Sequence, residues 1–162
     1  MIVRSRPEDA GLVTSLALKL WDGHDFEELK AEMAEVISGE DSAVFMFFDG
    51  EIPGGFAQCS LRRDYVEGTS TSPVGYLEGI YVDEQYRRRG VAASLLKSCE
   101  DWAKERGCTE FASDCELKNA ESLQFHLKCG FSEANRIICF RKELEDDKRR
   151  NIASGNAAIC DR

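Results

Sequence analysis

The stretch "YVDEQYRRRGVAAS" (81–94) joins the end of an apolar run to the start of an amphipathic pattern. Three consecutive arginines precede Gly90 there, although the chain carries a formal net charge of −9. The first turn of a helix has unpaired N–H groups and partial positive charge, and a glycine lets an anion approach the backbone. This order of strand, basic turn, glycine and helix therefore predicts an anion-binding site. A solvated basic turn is the alternative.

Hydrophobic periodicity predicts regular elements on both sides of this turn. A helix begins at Pro7 with Leu12, Leu16 and Leu20 on one face. Further helices are predicted after Asp25, after Gly90 and over 119–128. Strand-like patterns cover six segments: 2–4, 42–50, 55–66, 76–82, 109–114 and 136–144. These segments give the order β-αα-βββ-α-β-α-β.

The 162 residues suit a single domain, which we place at residues 1–144. The tail at 145–162 combines dense charge with small residues, which predicts a mobile extension or a lightly docked segment. No apolar run is long enough for a bilayer span, and the N-terminus lacks the pattern of a secretory signal. We therefore expect no membrane partner and a cytoplasmic location.

Composition excludes some classes of function. Seven cysteines without CxxC spacing predict reduced, buried side chains rather than disulfides or a metal site. The acidic balance disfavours nucleic acid as a partner and favours a cationic one, although surface carboxylates also serve solubility alone.

The register Arg87-x-x-Gly90-x-Ala92 resembles the pyrophosphate-binding signature Q/R-x-x-G-x-G/A of the GCN5-related N-acetyltransferase (GNAT) superfamily. The order of elements over about residues 2–144 is similar as well to the superfamily's β-αα-βββ-α-β-α-ββ. The resemblance implies an α/β (α+β) fold in which about four helices flank a central, mixed, splayed sheet. It also implies that acetyl-CoA lies in the opening between the 76–82 and 109–114 strands.

The same resemblance implies which residues bind acetyl-CoA. Backbone groups of one strand would hold the pantetheine, the basic turn would hold the pyrophosphate, and an asparagine would bind the pantetheine from the next helix. The strand residues are Ile80, Tyr81 and Val82, and the asparagine is Asn119. The pyrophosphate-binding residues of the turn and the helix start are Arg87, Arg88, Arg89, Gly90, Val91, Ala92 and Ala93.

A narrower resemblance is carried by "LALKLWDGH", "SLRRDYVEGTSTSPVGYLEGIYV", "RRRGVA", "ASD" and "GFSEANRIICFRKEL". These segments are similar to aminoglycoside 6'-N-acetyltransferases, which acetylate a primary amine of an aminosugar. The resemblance implies an antibiotic cleft lined by Trp21, His24 and Tyr65. Asn135 stands where relatives tend to carry an acid for a second amine, so it is a candidate that affects antibiotic range. Relatives often dimerise through their C-terminal strands, which implies a homodimer.

Two carboxylates are the candidates for the chemistry. A protonated amine must lose a proton before it attacks a thioester, so the site needs acids that bind the cation and help remove its proton. Glu78 interrupts the apolar strand at 76–82, and Asp114 ends the strand at 109–114. If these strands flank acetyl-CoA, both carboxylates converge on it; otherwise they are exposed strand-edge acids.

Other assignments stay open at this point. His126 stands four residues before Gly130 and Phe131, where many superfamily members have a tyrosine that protonates the CoA thiolate; it is a candidate donor or a packed helix residue. Cys115 would be needed only for a covalent route, and direct attack is expected. The rival functions are acetylation of a polyamine, small metabolite or protein amine, and a non-catalytic acyl-CoA sensor.

Overall fold

The computed structural model describes residues 1–144, and its centre is a five-stranded mixed sheet. The strands are β1 (Ile2–Arg4), β2 (Ser42–Asp49), β3 (Ile52–Arg62), β4 (Val74–Val82) and β5 (Phe111–Ser113), in that spatial order. The first four are antiparallel neighbours, whereas β5 runs parallel to β4. The predicted mixed sheet is therefore confirmed, and the tail at 145–162 lies outside the described residues.

Four helices cover the two faces of the sheet. They are α1 (Ala10–Ala17), α2 (Phe26–Ser38), α3 (Val91–Glu105) and α4 (Ala120–Lys128). One core joins α1 and α2 to β2 and β3 around Met46 and Phe56, while α3 packs on the opposite face around Leu95 and Trp102. No helix between residues 1 and 144 is both long enough and apolar enough to cross a bilayer.

The sheet opens between β4 and β5. Parallel pairing covers only Gly75–Leu77 against Phe111–Ser113, although β4 continues to Val82. A β-bulge at Glu78 also interrupts the β3–β4 pairing, because Gln58 and Cys59 face Gly79 and Leu77. The bulge and the short pairing produce the predicted splay, and they leave the β5-facing side of β4 unpaired beyond Leu77.

Several details of the predicted elements are wrong. The regular part of α1 ends at Ala17, so Leu20 lies beyond it, and Leu12 and Leu20 are exposed while Leu16 is buried. Residues 136–144 form no strand, because no described edge pairs with them. The side chains of Ile138 and Phe140 are 80% and 91% exposed. A strand-like pattern alone does not provide a partner.

The cysteines follow the prediction in part. Cys59, Cys99 and Cys108 are buried and Cys129 is partly buried, whereas Cys115 and Cys139 are exposed. All six are free thiols, and burial of Cys108 raises the pKa of its thiol. Within residues 1–144, no cluster of three or more His, Cys, Asp and Glu side chains could hold a metal ion.

Candidate active site

A cleft of about 150 Å³ lies where β4 and β5 diverge. It brings together residues from the turn after α1, from β4, from the end of β5 and from α4, which are far apart in sequence. The members used below are Trp21, Glu78, Ile80, Ser113, Asp114, Cys115, Asn119 and His126. Of the predicted catalytic residues, Glu78, Asp114 and His126 therefore share one cleft.

Glu78 is held firmly on the β4 side of the cleft. Its Oε2 accepts a hydrogen bond from Arg62 Nη2 at 2.8 Å, and its Oε1 accepts one from Arg62 Nε at 3.2 Å. The Ser60 hydroxyl donates a further hydrogen bond to Oε1. Its charge is thus compensated by a bidentate ion pair, the strong geometry for a guanidinium and a carboxylate.

Asp114, on the β5 side, has a different environment. Its Oδ1 accepts a hydrogen bond from the phenol of Tyr76, and the residue is exposed. Burial of Tyr76 and this hydrogen bond raise the pKa of the phenol well above its ordinary value. Tyr76 therefore remains a neutral donor, and the negative charge of Asp114 has no bonded cation within residues 1–144.

His126 reaches the cleft through a serine. Its Nδ1 lies 2.7 Å from the carbonyl oxygen of Ser122, which can only accept, so Nδ1 carries a proton. Its Nε2 lies 3.0 Å from Ser113 Oγ. The same Oγ lies 3.2 Å from the carbonyl oxygen of Leu77. The ring also packs edge-on against Phe131, so His126 is both packed and connected to the cleft.

The basic turn has the predicted geometry for an anion. Arg88 and Gly90 both have positive φ, at 58° and 78°, and Gly90 is the N-cap of α3. A Cβ at Gly90 would meet no atom within 4 Å. The first N–H groups of α3 are therefore unpaired within the helix and approachable, as binding of a pyrophosphate requires.

The three arginines of the turn differ in their contacts. Arg87 Nε donates to the carbonyl oxygen of Val82 at 2.9 Å, which fixes the turn to the end of β4. Arg89 Nη1 makes a longer bond, 3.4 Å, to the carbonyl oxygen of Gln85. Arg88 is exposed, and none of its side-chain atoms makes a hydrogen bond or ion pair within residues 1–144. Arg88 is thus the arginine of this turn whose N–H groups are all available to a bound anion.

Two other cofactor candidates also make contacts within the protein. Asn119 lines the cleft, but its Oδ1 caps α4 by accepting from Ser122 N at 3.0 Å. Its side-chain N–H groups are left for a ligand. The phenol of Tyr81 donates to Asp83 Oδ1 at 3.0 Å, so this side chain is fixed at the end of β4.

The predicted antibiotic-binding residues divide into two groups. Trp21 lies on the cleft wall, and its Cζ2 would be 2.5 Å from a Cβ on Gly79, so only glycine permits this approach. Tyr65 and Asn135 meet at Glu67, which accepts from both at 2.6 Å and 3.0 Å. These bonds lower the pKa of the Glu67 carboxyl, with Tyr65 the larger cause.

Three of the predicted binding residues, His24, Tyr65 and Asn135, are not brought to the cleft. His24 lies exposed in the turn between α1 and α2, outside the set of cleft-lining residues. The Tyr65–Glu67–Asn135 group also lies outside that set. Gly68 approaches the 132–144 segment closely, because a Cβ there would lie 2.3 Å from Ala134 Cβ.

Sequence reasoning missed four residues that complete the site: Ser60, Arg62, Tyr76 and Ser113. A period of two along a strand places Tyr76 on the same face as Glu78, and Ser60 on the same face as Arg62. That signal was available. The Ser113–His126 contact joins two elements, and no local pattern indicates it.

Comparison with known proteins agrees with this geometry. The model of the acetyltransferase (GNAT) family matches residues 13–131, and the chain belongs to that family. It is 39% identical over 146 residues to the aminoglycoside N(6')-acetyltransferase type 1 of Serratia marcescens, covering 89% of this chain and 99% of that protein. Identity to the enzyme of the same name from Klebsiella aerogenes is 42% over 141 residues, covering 84% and 91%.

Solved structures extend the comparison. The aminoglycoside 6'-N-acetyltransferase AAC(6')-Ih of Acinetobacter baumannii has a TM-score of 0.84 at 36% identity, with 90% of this chain and 99% of that chain covered. AAC(6')-Iy, in complex with the bisubstrate analogue CoA-S-monomethyl-acetylneamine, has a TM-score of 0.85 at 35% identity, covering 89% and 98%. The predicted fold, family and acyltransferase class are confirmed.

Proposed function

We propose that the chain transfers the acetyl group of acetyl-CoA to the 6'-amine of an aminoglycoside. The observation that carries the proposal is the cleft at the divergence of β4 and β5, with Glu78 and Asp114 on its two sides. The names of the relatives support the substrate class, and the CoA-linked analogue bound to AAC(6')-Iy supports the cosubstrate. Acid residues on both sides suit a substrate that carries several ammonium groups.

Acetyl-CoA would enter along the unpaired side of β4. We assign its pantetheine to the backbone of Ile80–Val82 and the free amide N–H groups of Asn119. The pyrophosphate would bind the N–H groups of 88–93, with the exposed Arg88 as the added cation. The contacts of Arg87 support a role in shaping the turn rather than in direct binding.

The two acids would activate the acceptor amine. In an ammonium form, the amine is attracted to the cleft, and it must lose a proton before its lone pair can attack the thioester carbon. Asp114 has an uncompensated negative charge and is the preferred proton acceptor, directly or through water. Glu78 would orient the amine. Attack is direct, so the exposed thiol of Cys115 has no part in it.

Ser113 and His126 would return a proton to the departing thiolate. The contact between Nε2 and Oγ supports a relay in which a protonated His126 donates to Ser113 while the Ser113 hydroxyl donates to sulfur. The carbonyl of Ser122 keeps the ring oriented for this transfer. A thiol with a pKa of about 8.5 is already an adequate leaving group, so this relay is a modest aid.

The rim would bind the rest of the antibiotic. Trp21 offers an apolar wall for a sugar ring. Tyr65, Glu67 and Asn135 form a polar group outside the cleft-lining residues, which would contact only a more distant part of the antibiotic. His24 would serve only a large acceptor that extends to the turn after α1. The acid of this group is Glu67, which Asn135 hydrogen-bonds, rather than a residue at position 135.

Assembly and location complete the proposal. The exposed Ile137, Ile138, Phe140 and Leu144 support a homodimer in which 136–144 gains the strand partner it lacks in one chain. Analytical ultracentrifugation tests this, since Ile138→Asp with Phe140→Asp would give monomers. We also propose a cytoplasmic location, because the N-terminus lacks the pattern of a secretory signal. The acidic balance of the chain supports the absence of nucleic-acid partners.

A thiol-release assay against a panel of amines tests the function. With acetyl-CoA saturating, we expect turnover with aminoglycosides and little with polyamines or N-terminal peptides. A preference for a polyamine or a peptide would favour the rival acetyltransferase function. Acetyl-CoA binding without turnover on any amine would favour a sensor.

A further inference from the structure

Arg62 is the centre of a polar network that reaches both sides of the cleft. Its guanidinium forms the bidentate pair with Glu78, and its Cζ lies 3.3 Å from the centroid of the Tyr76 ring. The phenol of Tyr76 in turn donates to Asp114. One cation thus contacts one acid directly and the other through a stacked phenol, and sequence reasoning had assigned Arg62 no role.

The charges near this network can be counted. Glu78 and Asp114 carry two negative charges and Arg62 one positive charge, and Tyr76 is a neutral phenol. His126 and Cys115 line the cleft from α4 and the end of β5, and Trp21 and Leu20 from the α1 side carry no charge. Arg63, the next residue, points elsewhere and pairs with Asp41. Glu78, Asp114 and Arg62 together therefore carry one net negative charge.

We propose that Arg62 is a positioning residue that sets the net negative charge facing the acceptor amine at one and fixes the carboxylate of Glu78. The proposal rests on the acetyl transfer proposed above. Without Arg62, two uncompensated carboxylates would face the ammonium. Nearby negative charge favours the protonated form of an amine, so the substrate would bind more tightly yet release its proton less readily.

This role predicts opposite effects on binding and turnover. Arg62→Gln is expected to lower the antibiotic KM while it lowers kcat at neutral pH by about tenfold. The acid limb of the pH profile of kcat should move to higher pH by about one unit. This is the lower end of the pKa shift that a nearby charge causes, and it is expected here because the Arg62–Glu78 pair is partly exposed. Arg62→Lys retains the charge and should leave the limb near its wild-type position.

A matched control and a double variant make the test specific. Arg63 is the next residue, and its guanidinium pairs with Asp41 on the exposed surface. Arg63→Gln therefore removes the same charge outside the cleft, and it should change neither the antibiotic KM nor the acid limb of kcat. Glu78→Gln with Arg62→Gln restores one net negative charge, through Asp114 alone. The double variant should therefore return the acid limb toward wild type. It also leaves no unpaired carboxylate at Glu78, so it tests the proposal even if the single variant fails to fold.

The results separate charge compensation from simple packing. A loss of kcat with an unmoved acid limb, or a limb that stays displaced in the double variant, would overturn the proposal. So would a rise in antibiotic KM in Arg62→Gln. These comparisons use a wild-type protein that turns over an aminoglycoside. Lack of wild-type turnover would instead refute the proposed function.

Discussion

The two sides of the cleft present the same functional group but compensate its charge differently. On β4, both oxygens of Glu78 accept hydrogen bonds from a cation, and Ser60 adds another. On β5, Asp114 accepts one hydrogen bond from a neutral phenol. Both oxygens of Glu78 therefore already accept hydrogen bonds, whereas Oδ2 of Asp114 accepts none within residues 1–144 and is available to an acceptor amine or a water. The difference teaches that one acid is suited to orientation and the other to proton removal.

Removal of the Asp114 charge should have the largest effect. Asp114→Asn keeps the size of the side chain but removes the proton acceptor, so kcat should fall by about a hundredfold to a thousandfold, in the range of general-base contributions. Steady-state kinetics with saturating acetyl-CoA give the measurement. Asp101→Asn, on the exposed face of α3, is the control and should have wild-type rates.

Glu78→Gln should have a smaller effect, mainly on KM. The amide leaves the Arg62 cation without its carboxylate, and this cation then repels the substrate ammonium. We expect the antibiotic KM to rise by about tenfold, with kcat reduced less than in Asp114→Asn. Equal losses of kcat in the two variants would break the proposed division of labour between the acids.

The existence of both acids was predictable, but their difference was not. Each interrupts or ends an apolar strand, and that local pattern correctly indicated a shared cleft. Arg62 and Tyr76 decide how each charge is compensated. Arg62 reaches Glu78 across the β3–β4 ladder, where a bulge shifts the register, and Tyr76 reaches Asp114 across the β4–β5 pair. Strand periodicity indicates which side chains share a face, but it does not show the register shift that pairs Arg62 with Glu78.

The acetyl-CoA side should be separable from both acids. Gly90 has φ of 78°, which a β-branched residue adopts only with strain, and the space beside it is open to a ligand. Gly90→Val should weaken acetyl-CoA binding by about tenfold in calorimetry, equivalent to about 1.4 kcal/mol. Glu78→Gln and Asp114→Asn should leave this affinity near its wild-type value.

A second glycine controls for backbone strain. Gly107, at the opposite end of α3, has φ of 84° and equally open surroundings. Gly107→Val should therefore carry a similar conformational cost without a change in acetyl-CoA affinity. If both valine variants lose affinity equally, destabilisation of the helix rather than blockage of the anion site would be the cause.

Ionic strength should produce the smallest effect and sharpen the comparison of the acids. Screening lengths fall from about 8 Å at physiological salt to about 3 Å at 1 M, so the antibiotic KM should rise several-fold over this range. Because the charge of Asp114 is exposed and uncompensated, Asp114→Asn should flatten this dependence more than Glu78→Gln. A flat KM in the wild-type protein would show that the net charge of −9 serves solubility alone.

The fold was largely predictable because its signals are local. Asp25 caps α2, α3 begins after Gly90, and β2 and β3 form the expected hairpin. The 136–144 strand failed because a strand needs a partner edge, and periodicity does not say which chain supplies it. His24 lies in the exposed turn after α1, outside the cleft-lining residues, and its contact with the antibiotic stays a prediction.

The site of acetylation is the most direct test of the account. Two aminoglycosides that differ only at the 6' position, one with an amine and one with a hydroxyl, would be assayed for CoA release, and the product would be mapped by NMR. We predict that the amine compound alone is turned over and that its 6'-nitrogen carries the acetyl group. Equal turnover of both compounds, or acetylation at another nitrogen, would contradict the central claim that this cleft activates a 6'-amine.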